Sequence, residues 1–191
     1  LGMGLPAAIF RFFGENEPVH LYWRREQIYR TLKPLTDNRG AFIAPQGMDW
    51  PYVGSYRSSV AAHCCASLFL GDPEAAYLES KQLDFIERMQ KSYDGRMMDP
   101  EIVRTCHGQQ DPAIIKEPKS IWSIAQLYFL HRLVGSGATP AIEREFQTKY
   151  LGTRVFPHSG FALHRHLGGQ TTMHWRNHLT PLPLPTRGQH A

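Results

Sequence analysis

Two stretches of this chain are apolar on nearly every side: VAAHCCASLFL at residues 60–70 and IWSIAQLYFLHRLVG at residues 121–135. A helix with that pattern has no face to give to water and must be packed all round. Each stretch ends at a glycine, Gly71 or Gly135, and each is followed by a helix of different character. After Gly71, Asp72-Pro73 supplies an N-cap with proline at the first helical position. Ala75, Leu78, Phe85, Ile86 and Met89 then fall on one stripe, with Lys81, Asp84, Glu87, Arg88 and Lys91 opposite. After Gly135, Pro140 opens the shorter polar segment AIEREFQTKY. An apolar inner helix, a tight turn and an outer helix make an αα-hairpin, the repeating unit of helical toroids and solenoids. Two such pairs are predicted.

The period changes after Gly152. Residues 153–156, 161–166 and 170–177 are rich in β-branched and aromatic side chains, and Gly168-Gly169 offers a hairpin turn. Gly160 is expected at a bulge or corner. The closing Leu-Pro-Leu-Pro is excluded from a central strand, because proline has no ladder donor. Helices followed by sheet predict an α+β chain: a helical part over 1–150, made of antiparallel pairs, and the first strands of an antiparallel sheet domain over 151–191. A further helix is expected from Val19 to Lys33, where Pro34 stops it, with Tyr22, Trp23 and Tyr29 packing as its core and rim. The opening LGMGLPAAIFRFFGE is too short in apolar residues for a signal peptide. With neither end reading as a natural terminus, the chain is expected to be a fragment of a longer protein.

Composition narrows the function. Forty-two per cent hydrophobic and 20% charged residues describe a globular chain. Its longest basic cluster is Arg24-Arg25, which excludes a nucleic-acid footprint despite a net charge of +4. No run approaches the ~18 apolar residues of a membrane span. Phosphate-cradling glycine loops and the G-x-S-x-G elbow are absent, which removes nucleotide-dependent and common serine-hydrolase chemistry. Cys64, Cys65 and Cys106 show no metal spacing and no complete disulfide framework; the first two read as buried thiols.

Residues 156–177, FPHSGFALHRHLGGQTTMHWRN, resemble the first strands of the sheet domain in heparinase II/III-like polysaccharide lyases. In that family a helical toroid meets an antiparallel β-sandwich through an aromatic-Pro-x-Ser-Gly-aromatic segment leading to an arginine. Phe156, Pro157, Ser159, Gly160, Phe161 and Arg165 stand in those places. Residues 46–79, QGMDWPYVGSYRSSVAAHCCASLFLGDPEAAYLE, likewise look like toroid helices behind a polar-aromatic loop. The resemblance spans roughly residues 40–178. It implies a partial α/α toroid joined to the start of a truncated β-sandwich, a secreted or periplasmic location, and an acidic polysaccharide or oligosaccharide as partner. The implied reaction is β-elimination at a uronate; a toroid glycoside hydrolase using Asp49 and a non-catalytic glycan-binding scaffold are the alternatives.

Elimination needs a group to neutralise the uronate carboxylate, a base for the C5 proton and an acid for the leaving oxygen. Residues 46–57 hold suitable types: Gln46, Asp49, Trp50 and Arg57 for binding, with Tyr52 and Tyr56 for proton transfer. The same loop also reads as purely structural, its aromatics packed and Asp49 capping a turn. His63 is either a hydrogen-bonded core residue or the base that follows from this loop. His164, Arg165 and His174 are candidate substrate contacts on the hairpin, with strand alternation putting His164 and His166 on one face and Arg165 on the other. His164 and His166, with His174 as a third ligand, would suit zinc, but H-x-H is no signature, so no cofactor is expected, with zinc or calcium left open and unsupported. The sequence leaves the oligomeric state open.

Overall fold

A computed structural model describes residues 4–17, 24–37, 39–42, 55–95, 117–167, 169–176 and 180–184. The chain is mixed α+β. Its helices are α1 (Gly4–Phe12), α2 (Arg25–Leu32), α3 (Ser55–Leu70), α4 (Pro73–Ser92), α5 (Glu117–Val134) and α6 (Glu143–Lys149). The strands β1 (Gly152–Phe156), β2 (Phe161–His166), β3 (Gly169–His174) and β4 (Thr180–Leu184) form one antiparallel meander in chain order.

The α3–α4 hairpin forms as its capping residues dictate. Gly71 takes a positive φ of 61°, and the Asp72 carboxylate accepts from the Glu74 and Ala75 amides while Pro73 opens α4. Helix α3 is the hub. Val60 and Cys64 pack against Ala8 of α1 and against Leu127 and Leu130 of α5. Ala62 and Ala66 face Tyr29 of α2 and Ala75 of α4, where small side chains let the helices close up. The polar stripe of α4 is largely exposed and its apolar stripe turned inward, yet Glu74, Glu79 and Gln82 are buried as well.

Two expectations are corrected here. The second inner/outer pair does not form: α6 packs through Phe146, with Tyr150 just beyond it, on Tyr77 and Leu78 of α4 and not on α5. Helix α5 is not enclosed among the described residues: Ile121, Trp122, Tyr128 and Phe129 are each more than half exposed. The opening apolar run forms α1, packed on α3 and α5. Pro34 does end α2, through a 3₁₀ turn over Lys33–Leu35.

The sheet packs against the end of α2 and the 3₁₀ turn that follows it. Phe161 and Leu163 cluster with Leu35 and Leu32, while Phe156 and Phe161 stack at 4.4 Å across the β1–β2 turn. Gly160 occupies a tight turn, not a bulge. Its φ is 66° and a Cβ there would sit 2.7 Å from the Arg176 side chain. Leu182-Pro183-Leu184 does enter the sheet, in edge strand β4, with Pro181 opposite Met173 and Pro183 opposite Thr171. Residues two apart send their N–H groups to the same side, so both prolines forfeit donors on one side only, as an edge tolerates. Among the described residues, no helix is long and apolar enough to cross a membrane.

Candidate functional site

Gln46, Asp49, Trp50 and Tyr52 lie outside the described residues. Tyr56 and Arg57 lie on the first turn of α3, and only their backbone is described. What is described is the stem from which their segment leaves. Thr36 and Phe42 form a short antiparallel bridge, and Asp37 accepts from the Arg39 and Ala41 amides and ion-pairs with Arg39. Gly40, at the tip of this turn, has a φ of 78° and runs against α4. A Cβ there would lie 2.7 Å from the Leu78 carbonyl oxygen, a backbone atom that cannot swing away.

His63 locks the stem in place. About two turns into α3, its ring is fully buried. A carbonyl oxygen only accepts, so the 2.7 Å contact to the Gly40 oxygen puts the proton on Nε2. Nδ1 therefore accepts, and Tyr29 Oη donates to it at 2.6 Å. The Phe42 ring packs on the imidazole with centroids 4.7 Å apart. Burial lowers the His63 pKa to about 4, against the Gly40 carbonyl and Asp72, which favour the charged form. The imidazole is therefore neutral with both nitrogens engaged, as in the core-residue reading. In this arrangement no lone pair is open to a substrate, so His63 positions the stem and takes no proton.

Gly40→Ala should destabilise the chain by at least about 2 kcal/mol, combining the left-handed φ with the backbone clash. Denaturant unfolding measures this. A loss under about 0.5 kcal/mol would mean the turn has room to move.

The hairpin candidates divide between two faces. His164 is exposed, with Nδ1 2.9 Å from the Thr153 hydroxyl, and His166 shares its face. Arg165 and His174 face the helices. His164, His166 and His174 thus cannot meet at one ion. Arg165 is not a surface contact for substrate: it is 1% exposed. Its guanidinium donates to the Pro34 and Thr36 carbonyls at 3.2 Å each and to Gln147 Oε1 at 3.0 Å, above the Phe146 ring. Burial lowers its pKa to about 10. The residue bolts β2 to the α2 turn and to α6.

A polar cleft of about 520 Å³, which the sequence reading did not find, opens beside this joint between α2, α4 and α6. Lys33, itself buried, reaches Asp72 at 2.7 Å and Glu74 at 2.5 Å. Lys149 and the Tyr150 hydroxyl also donate to Glu74, at 2.6 and 2.8 Å. Burial alone would raise the Glu74 carboxyl, but these three donors hold it below its ordinary value. Burial and Glu74 push the Tyr150 phenol up, away from use as a base. Arg30, Lys33 and Lys149 line the cleft opposite Glu26, Asp72 and Glu74, so its formal charge cancels and offers no net attraction to a polyanion. The signal was present in Asp72-Pro73-Glu74, which the sequence reading used only as a cap.

The donors that do converge on a point lie in the helices: Cys64, Glu79 and His131. Comparison of the chain with family models, curated proteins and solved structures finds no match.

Proposed function

We propose that the chain is part of a secreted or periplasmic polysaccharide lyase that cleaves a uronate-containing glycan by β-elimination. The observation that carries this reading is the order of the fold. A helical layer built on the α3–α4 hairpin passes into an antiparallel meander through Phe156-Pro157-x-Ser159-Gly160-Phe161, and Arg165 fastens the two. In an α/α toroid, further helix pairs would cover the outer side of α5, where Ile121, Trp122, Tyr128 and Phe129 stand exposed. The segment between the stem at residue 42 and the start of α3 would then border the toroid mouth. Gln46 and Arg57 would neutralise the uronate carboxylate, while Trp50 stacks on a sugar ring. One of Tyr52 and Tyr56 would take the C5 proton. As the C4–O bond breaks and the C4–C5 double bond forms, the other would protonate the departing oxygen. His63 contributes by fixing the stem.

A non-catalytic glycan-binding scaffold is the second reading. It is favoured by the locked state of His63 and Arg165 and by the exposed pair His164 and His166 on the outer sheet face.

The full-length protein incubated with a panel of uronate polymers should generate the ultraviolet absorbance of an unsaturated uronate. Tyr52→Phe and Tyr56→Phe should each lower the rate at least ~100-fold while polymer binding persists. No absorbance across the panel would overturn the lyase reading. New reducing ends without absorbance would indicate hydrolysis and direct attention to Asp49, and binding without cleavage would indicate the scaffold.

A further inference from the structure

We propose that Cys64, Glu79 and His131 form a binding site for a zinc-class transition-metal ion, independent of the glycan reading. The three residues come from three different helices, α3, α4 and α5. Their thiol, carboxylate and imidazole atoms lie within 4.8 Å of one another, the only such group among the described residues.

The spacing suits a small tetrahedral ion. Zn–S of ~2.3 Å with Zn–N and Zn–O of ~2.0 Å gives S···N separations of about 3.5 Å and N···O separations of about 3.3 Å. Cys64 Sγ and His131 Nε2 are 3.6 Å apart. His131 Nε2 and Glu79 Oε1 are 2.8 Å apart, a hydrogen bond that a metal would open by about half an ångström.

The imidazole is also oriented as a metal ligand. Its Nδ1 donates to the Gly135 carbonyl at 2.9 Å, which turns Nε2 toward the sulfur and the carboxylate. A backbone acceptor on the distal nitrogen is the usual support for a metal-bound histidine. The same contact argues against a Cys–His–Glu catalytic relay. In such a relay the thiol and the carboxylate address opposite nitrogens, whereas here both address Nε2. Thiolate and imidazole together select zinc or cobalt over calcium or magnesium. Three protein ligands leave the fourth position to water, and the His131 side chain, about one-third exposed, offers the route in.

Without metal the cluster holds its protons. Burial lowers the His131 pKa, but hydrogen bonds to Glu79 and the Gly135 carbonyl outweigh this and raise it. Burial and the Glu79 charge push the Cys64 thiol well up. A divalent ion entering the site would displace one proton from the Cys64 thiol and one from His131 Nε2. The Cys64 thiolate, the Glu79 carboxylate and the neutral imidazole then hold it, and two protons pass to solvent.

Cobalt(II) added to chelator-treated full chain is the probe. One equivalent should produce a thiolate-to-cobalt charge-transfer band, and zinc(II) should bleach it. Cys64→Ser, Glu79→Gln and His131→Gln should each weaken binding at least ~10-fold, whereas Cys65→Ser and Cys106→Ser should leave it unchanged. Cys64→Ser alters a core position, so His131→Gln, at a part-exposed one, serves as the second arm. Zinc(II) should raise the thermal midpoint of the unsubstituted chain and leave that of His131→Gln where it was. No band, a band that survives Cys64→Ser or His131→Gln, or a band lost with Cys65→Ser or Cys106→Ser would overturn the site.

Discussion

Arg165→Met should lower the unfolding free energy by roughly 2–5 kcal/mol. The three hydrogen bonds to Pro34, Thr36 and Gln147 come from a charged donor inside the protein, each worth about 1.5–3 kcal/mol. Against this stands the cost of keeping the guanidinium dry. Burial brings its pKa from 12.5 to about 10, a cost that methionine would remove. The bonds outweigh the desolvation, so the substitution destabilises. It leaves two buried carbonyls without their donor, which methionine cannot replace. Arg165→Lys should fail for a different reason, since one ammonium on a flexible stem cannot span both the α2 turn and Gln147. Denaturant unfolding gives the size, and a double-mutant cycle with Gln147→Leu should show at least about 0.5 kcal/mol of coupling. A change within about 0.5 kcal/mol for Arg165→Met would mean that the joint is held by Leu35, Phe161 and Leu163 alone.

The same arginine marks how far the sequence could be read. Alternation along residues 161–166 separates Arg165 from His164 and His166, and the burial of β2 follows that alternation. Alternation does not say which face is buried, and a charged side chain between two histidines reads as the wet one. What reverses the assignment is a set of carbonyls around residues 34–36 and an amide at Gln147, none of them local to the strand. Asp72-Pro73 was legible because an N-cap is satisfied within three residues of itself. His63 was legible only as a choice, because Tyr29 and Gly40 settle its chemistry from other parts of the chain. The Cys64, Glu79 and His131 cluster left no spacing signature, its members being supplied by three helices at unrelated intervals. The exposed aromatics of α5 were unreadable for a related reason: an all-apolar helix states that it needs neighbours and does not name them.

Acid should weaken the protein through His63, in a window that the two ends of its titration define. In the unfolded chain the imidazole takes a proton near pH 6.5; in the folded chain it does so only at about 4. Between those values the unfolded chain binds more protons, so stability falls as the pH falls. The contribution is fully present above about 6.5, declines through the window and is spent once the pH passes below about 4. The whole span corresponds to about 3 kcal/mol. His131 acts with the opposite sign. Its raised pKa contributes stability that is present below the unfolded value and fades as the pH rises, so it offsets part of the His63 slope. The measurement is therefore made in a His131→Gln background, where unfolding free energy followed from pH 7 to 5 should show the His63 slope before the depressed Glu74 carboxyl adds a loss of the same sign at lower pH. Adding His63→Gln should cost stability at pH 7, because the Tyr29 and Gly40 contacts are remade less well. It should also flatten the acid limb, so that the two curves converge toward pH 5. A double variant that keeps the full slope would place the acid sensitivity elsewhere. Convergence would tie the protonation of one core histidine to the loss of its Tyr29 and Gly40 contacts.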